Sequence, residues 1–127
     1  MSLARKRAAL ELGRRAEEIA AAHLNARGLE ILQRNFRRRL GELDLVARDG
    51  DELVIIEVRA RSTTAYGGAA ASIDSRKRQR MVKATLLLLQ RHKDLARMRV
   101  RFDAVLVSNV NAAEPTVQWI RHAFAVN

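Results

Sequence analysis

Two apolar-rich runs flank Asp49-Gly50: Leu43 to Ala47 before it, and Glu52 to Arg59 after it. An Asp-Gly pair between such runs is a strong short-range signal for a tight β-hairpin. No other feature constrains the chain as much, because a hairpin sets register as well as strand identity, and a slip of one residue turns every side chain to the other face. With Asp49-Gly50 as a two-residue loop, Arg48 opposes Asp51 and Glu42 opposes Glu57. Asp44 is then a diagonal neighbour of Glu57, with Cα atoms roughly 7–8 Å apart. Period-two alternation gathers Glu42, Asp44, Glu57 and Arg59 on one face, and Leu43, Leu45, Val54, Ile56 and Val58 on the other.

Acidic residues inside strands need a reason, because strands disfavour Asp and Glu and sheets bury their faces. A lone strand acid is usually the ion-pair partner of an arginine. Two that converge, with Arg59 beside them, are spaced to share a Mg²⁺, which takes oxygen ligands at about 2.1 Å. Upstream, residues from about Leu10 to Ala26 follow a helical period that ends near Gly28. Leu12, Ala16, Ile19, Ala20, His23, Leu24 and Ala26 form its apolar arc. Glu17 falls at the edge of that arc and can reach a site on the sheet, whereas Glu18 points to solvent. On pattern alone, an exposed acid balancing Arg14 or Arg15 is the alternative for Glu17. His23 reads as a core or half-buried histidine.

The remaining elements follow from the same rules. Leu29 to Phe36, Val100 to Val107 and Val117 to about His122 read as strands, and Asp74 is a plausible N-cap for a helix running to about His92. Ser62 to Ala71, with Gly67-Gly68, and Ser108 to Thr116, with Pro115, read as loops. The order is α-β-β-β-α-β-β: one α/β domain over residues 1–127, with a core from about 12 to 124 and a mixed central sheet flanked by helices.

Charge narrows the partners. The chain carries a formal net charge of +10, with twenty arginines and four lysines. Such an excess calls for a polyanion. No apolar run approaches the ~20 residues of a spanning helix, which argues against a membrane. The absence of cysteine removes disulfides and thiolate chemistry and fits a reducing compartment, so a cytoplasmic location is expected. Basic groups at Arg14-Arg15, Arg37-Arg38-Arg39, Arg61 and Arg76-Lys77-Arg78 flank the acids. Aromatic residues are too sparse for a stacking platform, so phosphate contacts should dominate.

Gly13-Arg14-Arg15-Ala16-Glu17, Arg34-Asn35-Phe36, Gly41-Glu42-Leu43-Asp44-Leu45-Val46, Glu57-Val58-Arg59-Ala60-Arg61 and Arg101-Phe102-Asp103 together resemble the successive signatures of the bacterial YraN family. That family is similar in motif and expected fold to the PD-(D/E)XK nucleases, notably archaeal Holliday-junction resolvases. The resemblance covers about Leu12 to Phe124 and implies a restriction-endonuclease-like fold. It implies that Glu17, Asp44 and Glu57 are catalytic acids holding Mg²⁺ or Mn²⁺, the metal orienting a water and stabilising phosphoryl oxygens. Two positions depart from the pattern. Ala16 stands where the family usually has Gly, and Arg59 stands where the signature Lys belongs. An arginine stays protonated, so Arg59 acts there only as a fixed charge. Lys77, near the apolar edge of the second helix, is a candidate to take the lysine's place.

The expectation is a divalent-metal-dependent endonuclease of structured or branched DNA, with Arg14, Arg15, Arg37, Arg38, Arg39, Arg61 and Lys77 on the nucleic acid. A homodimer that cuts both strands stays open. The alternative is a non-catalytic DNA- or RNA-binding protein that keeps the nuclease fold. A third reading, a ribosome- or RNA-associated basic protein, rests on charge alone.

Overall fold

Ser2 caps the first helix by accepting a hydrogen bond from the Arg5 amide at 3.2 Å, so α1 runs Leu3–Ala26 and starts well before Leu10. The extra turns are built from Ala, Leu, Arg and Lys, good helix formers that carry no apolar period. Only Ala16, Ala20, Ala21 and Leu24 of α1 are buried. Leu12 and Ala26 are exposed, unlike the expected arc. The first half of the helix finds no deep packing, and Ala26 turns outward in the last turn. Gly28, at φ +96°, ends the helix: its amide and that of Leu29 donate to Asn25 and Leu24 carbonyls.

The computed structural model describes residues 2–61 and 73–126. The loop expected at Ser62 to Ala71 lies outside the described residues. After α1 come β1 (Glu30–Arg38), β2 (Gly41–Asp49), β3 (Glu52–Arg61), α2 (Ser75–Arg91), β4 (Arg99–Ser108) and β5 (Thr116–Phe124). This is the expected α-β-β-β-α-β-β order. The five strands form one sheet in the order β1-β2-β3-β4-β5, antiparallel except for the β3–β4 pair. Helix α1 packs on one face through Leu24, Leu45, Val54, Ile56 and Val105. Helix α2 packs on the other through Phe36, Leu43, Ile55, Met81 and Leu88. Each such side chain stabilises the fold by roughly 1.5–3 kcal/mol on burial.

The hairpin turn closes one residue later than expected. Asp49 pairs with Glu52, which leaves Gly50-Asp51 as the loop with Gly50 at φ +62°. Glycine at the first loop position suits a type II′ turn, whose twist matches the strands. Partners therefore move by two residues and keep their parity. Continued one step past Leu45↔Ile56, the register brings Asp44 level with Glu57 instead of diagonal to it.

Alternation also breaks where β1 and β2 pass Asn35 and Asp44, which period-two reading does not anticipate. Arg34↔Leu45 and Phe36↔Leu43 pair on either side of Asn35 and Asp44, yet Leu45 packs in the α1 layer while Phe36 and Leu43 pack in the α2 layer. Asn35 adopts φ +54°, a left-handed conformation that asparagine tolerates better than most residues. Beside it, Leu43 leaves the face of Leu45.

Near the turn end of the sheet, Arg101 is buried against three carboxylates. Its guanidinium donates to Glu52 Oε1 at 2.9 Å, Asp49 Oδ2 at 3.2 Å and Asp103 Oδ1 at 3.0 Å. Asp103 also accepts from Trp119 Nε1 at 2.9 Å and the His122 amide at 3.0 Å. The Arg101-Phe102-Asp103 signature thus ties the β2–β3 turn to β4 and β5. Buried charge is tolerable only when paired and hydrogen-bonded this fully.

Candidate active site in a fork between two strands

Beyond Leu45↔Ile56 the β2–β3 ladder stops, while β2 continues to Gly41 paired with β1. The two strands part, and Asp44 stands at the fork. Its Oδ2 accepts the Val58 amide at 2.9 Å, satisfying a backbone donor that the departing strand no longer reaches. The departure has a cause in the other layer. A Cβ at Gly41 would collide with the backbone carbonyl of Arg80, so only glycine lets the β2 end lie against α2.

Glu57 faces the fork from β3 and is 7% exposed. Burial, a hydrogen bond with Asp44 and the charge of Asp44 together push its carboxyl up to about 8. Lys77 and Arg59 pull the other way and do not prevail. Lys77 Nζ lies 3.5 Å from Glu57 Oε2 and 3.8 Å from Glu42 Oε1, and Arg59 Nε lies 3.8 Å from Glu57 Oε2. Lys77 is held there by the start of α2: Asp74 caps the helix by accepting the Lys77 amide at 2.8 Å. Glu17 comes from the α1 side. Its carboxyl is raised by burial and then by the charge of Asp44, against a hydrogen bond from Asn35 and the charges of Arg37 and Arg34.

The fork therefore brings together Asp44, Glu57, Arg59 and Lys77, with Glu42 bridged through Lys77 and Glu17 felt by Asp44. Carboxylate oxygens are the donors that Mg²⁺ and Mn²⁺ prefer, so the donor chemistry fits. A hydrogen-bonded Asp44–Glu57 pair is also a place where a cation would replace a shared proton. Among the described residues, however, no three acidic or imidazole groups are gathered closely enough to hold one ion as they stand. The pair Asp44 and Glu57 would hold a cation, and Glu17 stands as a third donor not yet gathered with them.

The basic residues divide. Arg37 donates to Asn35 Oδ1 at 3.2 Å and approaches Glu42 at 3.8 Å, beside the fork. Arg38 is half-buried, its guanidinium 4.2 Å from the Phe36 ring centroid and donating to the Arg37 carbonyl at 2.6 Å. Arg14 pairs with Glu11 at 3.3 Å, Arg15 and Arg39 are exposed, and Arg61 is half-buried at the end of β3. His23 is half-buried with its pKa lowered by burial and then by Arg27, as a core histidine would be. Asn35 and Gly41 stand inside the motifs, but their roles are not legible from the motifs themselves. An asparagine midway along a strand and a glycine just before an acid-bearing strand were the available signals.

No helix among the described residues is long and apolar enough to cross a membrane. Residues 16–107 match the model of the uncharacterised protein family UPF0102. A UPF0102 protein of Stutzerimonas stutzeri is 48% identical over 112 residues, covering 88% of this chain and 92% of that protein. One from Pseudomonas aeruginosa is 48% identical over 113 residues, covering 88% and 90%. One from Alkalilimnicola ehrlichii is 47% identical over 115 residues, covering 91% and 87%. The matched span takes in Glu17, Asn35, the whole β2–β3 fork and Lys77, and the chain belongs to the UPF0102 (YraN) family.

Proposed function

We propose that this protein binds nucleic acid and acts as a divalent-metal-dependent endonuclease on structured or branched DNA. The observation that carries this reading is the fork: two carboxylates share a hydrogen bond where β2 and β3 part, and a lysine and an arginine converge on Glu57. Carboxylates facing a phosphate backbone would weaken binding unless a cation intervened, so a purely structural phosphate binder has no use for them. A bound Mg²⁺ or Mn²⁺ would supply Lewis-acid stabilisation and a more acidic water.

The chain's own groups divide the remaining work. Asp44 and Glu57 would hold the cation through their carboxylate oxygens, and one of them, deprotonated by the ion, would take the proton the attacking water gives up while the departing oxygen gains one from solvent. Lys77, an ammonium on a flexible stem, positions the attacking water. Arg59, always charged, steadies the phosphate. Lys77 thus takes from α2 the place that Arg59 leaves vacant on β3.

The test is cleavage of labelled junction, flap, duplex and single-stranded DNA in Mg²⁺ and in Mn²⁺. Asp44→Asn and Glu57→Gln should abolish cleavage. Lys77→Met should lower it by about 10²-fold or more, within the range for a positioned acid–base group. Arg59→Lys should leave it equal or raise it. The second reading, binding without cutting, is favoured by the arginine at position 59 and the ungathered Glu17. A parent protein that binds these probes and cuts none of them moves the conclusion to that reading.

A further inference from the structure

Gly13 lies inside α1, where glycine weakens a helix relative to alanine. Among the described residues nothing repays that cost. Its φ is not left-handed, and among the described residues a Cβ there would meet no atom within 4 Å. Glycine in such a place is explained when something outside the chain must approach the backbone closely. The space it leaves is a cavity of about 350 Å³, lined by Leu10, Gly13, Arg14, Glu17, Asn35 and Arg37 among others. That volume lies within the ~300–1,000 Å³ typical of sites for small organic ligands.

The lining is mixed in a particular way. Leu10 is 69% exposed, an apolar side chain left open to solvent. Arg37 is tethered to Asn35 and approaches Glu42, and among the described residues Arg14 pairs with a solvent-exposed Glu11. An apolar wall, two arginines and an open stretch of helix backbone suit a sugar and base carrying a phosphate. They suit neither a purely apolar ligand nor a bare anion. Glu17 and Asn35 join this cavity to the fork, since Glu17 feels Asp44 and takes a hydrogen bond from Asn35.

We infer that this cavity seats one nucleotide of the bound strand, next to the phosphate at the fork, with its sugar and base against Leu10 and Gly13 and its phosphate toward Arg14 and Arg37. The inference rests on the nucleic-acid reading above and adds a strand-binding subsite on α1. It gives Gly13 a role in clearance and Asn35 one in positioning, as the link between subsite and acids.

The experiment compares the full-length parent with Gly13→Ala and Gly13→Leu, measuring Tm and the affinity for labelled junction and single-stranded DNA in EDTA. Alanine should raise Tm by about 2–4 °C, because helix propensity improves without a clash. The same substitution should weaken binding about threefold, and leucine, which projects into the cavity, at least tenfold. Folded Gly13→Leu protein that binds like the parent overturns the subsite and leaves the proposed function standing. Alanine that lowers Tm overturns it too, by giving Gly13 a structural reason. A parent that binds neither probe overturns the nucleic-acid reading and the subsite together.

Discussion

Glu57 is the residue on which the electrostatics of the fork turn. Its carboxyl is held up to about 8, so from its ordinary range near 4.5 up to that value the folded chain binds a proton that the unfolded chain has released. Stability from this group is then fully present below about pH 4.5 and is lost as pH rises through 8. Glu57→Gln, which keeps a donor toward Asp44 and cannot ionise, should exceed the parent's Tm by about 5 °C at pH 8.5 in EDTA and match it near pH 4.5. An equal offset at both values would remove Glu57 as the source. Mg²⁺ competes for the same oxygens, so adding it at pH 8.5 should raise the Tm of the parent and leave Glu57→Gln unmoved. This readout is independent of catalysis and distinguishes a cation site from an ion pair with Lys77.

Among the elements, the end of β2 is the piece whose placement matters most. Gly41 lets it lie on α2 at Arg80, and Lys77 sits one turn earlier on that helix. Gly41→Ala must push strand and helix apart, at a cost of about 1–3 kcal/mol typical of overpacking, seen as an earlier urea midpoint at unchanged m-value. Gly13→Ala, with open space before it, provides the opposite sign in the same assay. Several elements were legible because they have a local cause: a turn at Gly50, a capping Asp74, a terminating Gly28. The convergence of Asp44 and Glu57 was legible too, because a two-residue change of partners preserves parity. The face exchange at Asn35 and Asp44 was not, since it accompanies a left-handed backbone angle that no period reveals. Nor was the Arg101 network, whose acids come from the turn and from two residues along β4.

For the whole molecule, net charge predicts how binding responds to salt. DNA affinity should fall steeply between roughly 50 and 200 mM salt, because each neutralised phosphate releases counterions. Replacing Arg37, Arg38 and Arg39 with Ala should flatten the slope of log K against log salt by only about 1–2, less than three full phosphate contacts. Arg38 is already spent on Phe36 and Arg37 is shared with Glu42. A salt-independent affinity, measured by anisotropy, would defeat the phosphate-contact account. The fork also has a temporal side. Glu17 stands on the helix of one layer and Lys77 on that of the other, and the acids between them belong to a hairpin that can form before either layer docks. A nascent chain would thus carry its two strand acids early and unescorted, while the full set of charges exists only once both layers have closed on the sheet. Any chemistry at this site would require both layers to be docked on the sheet.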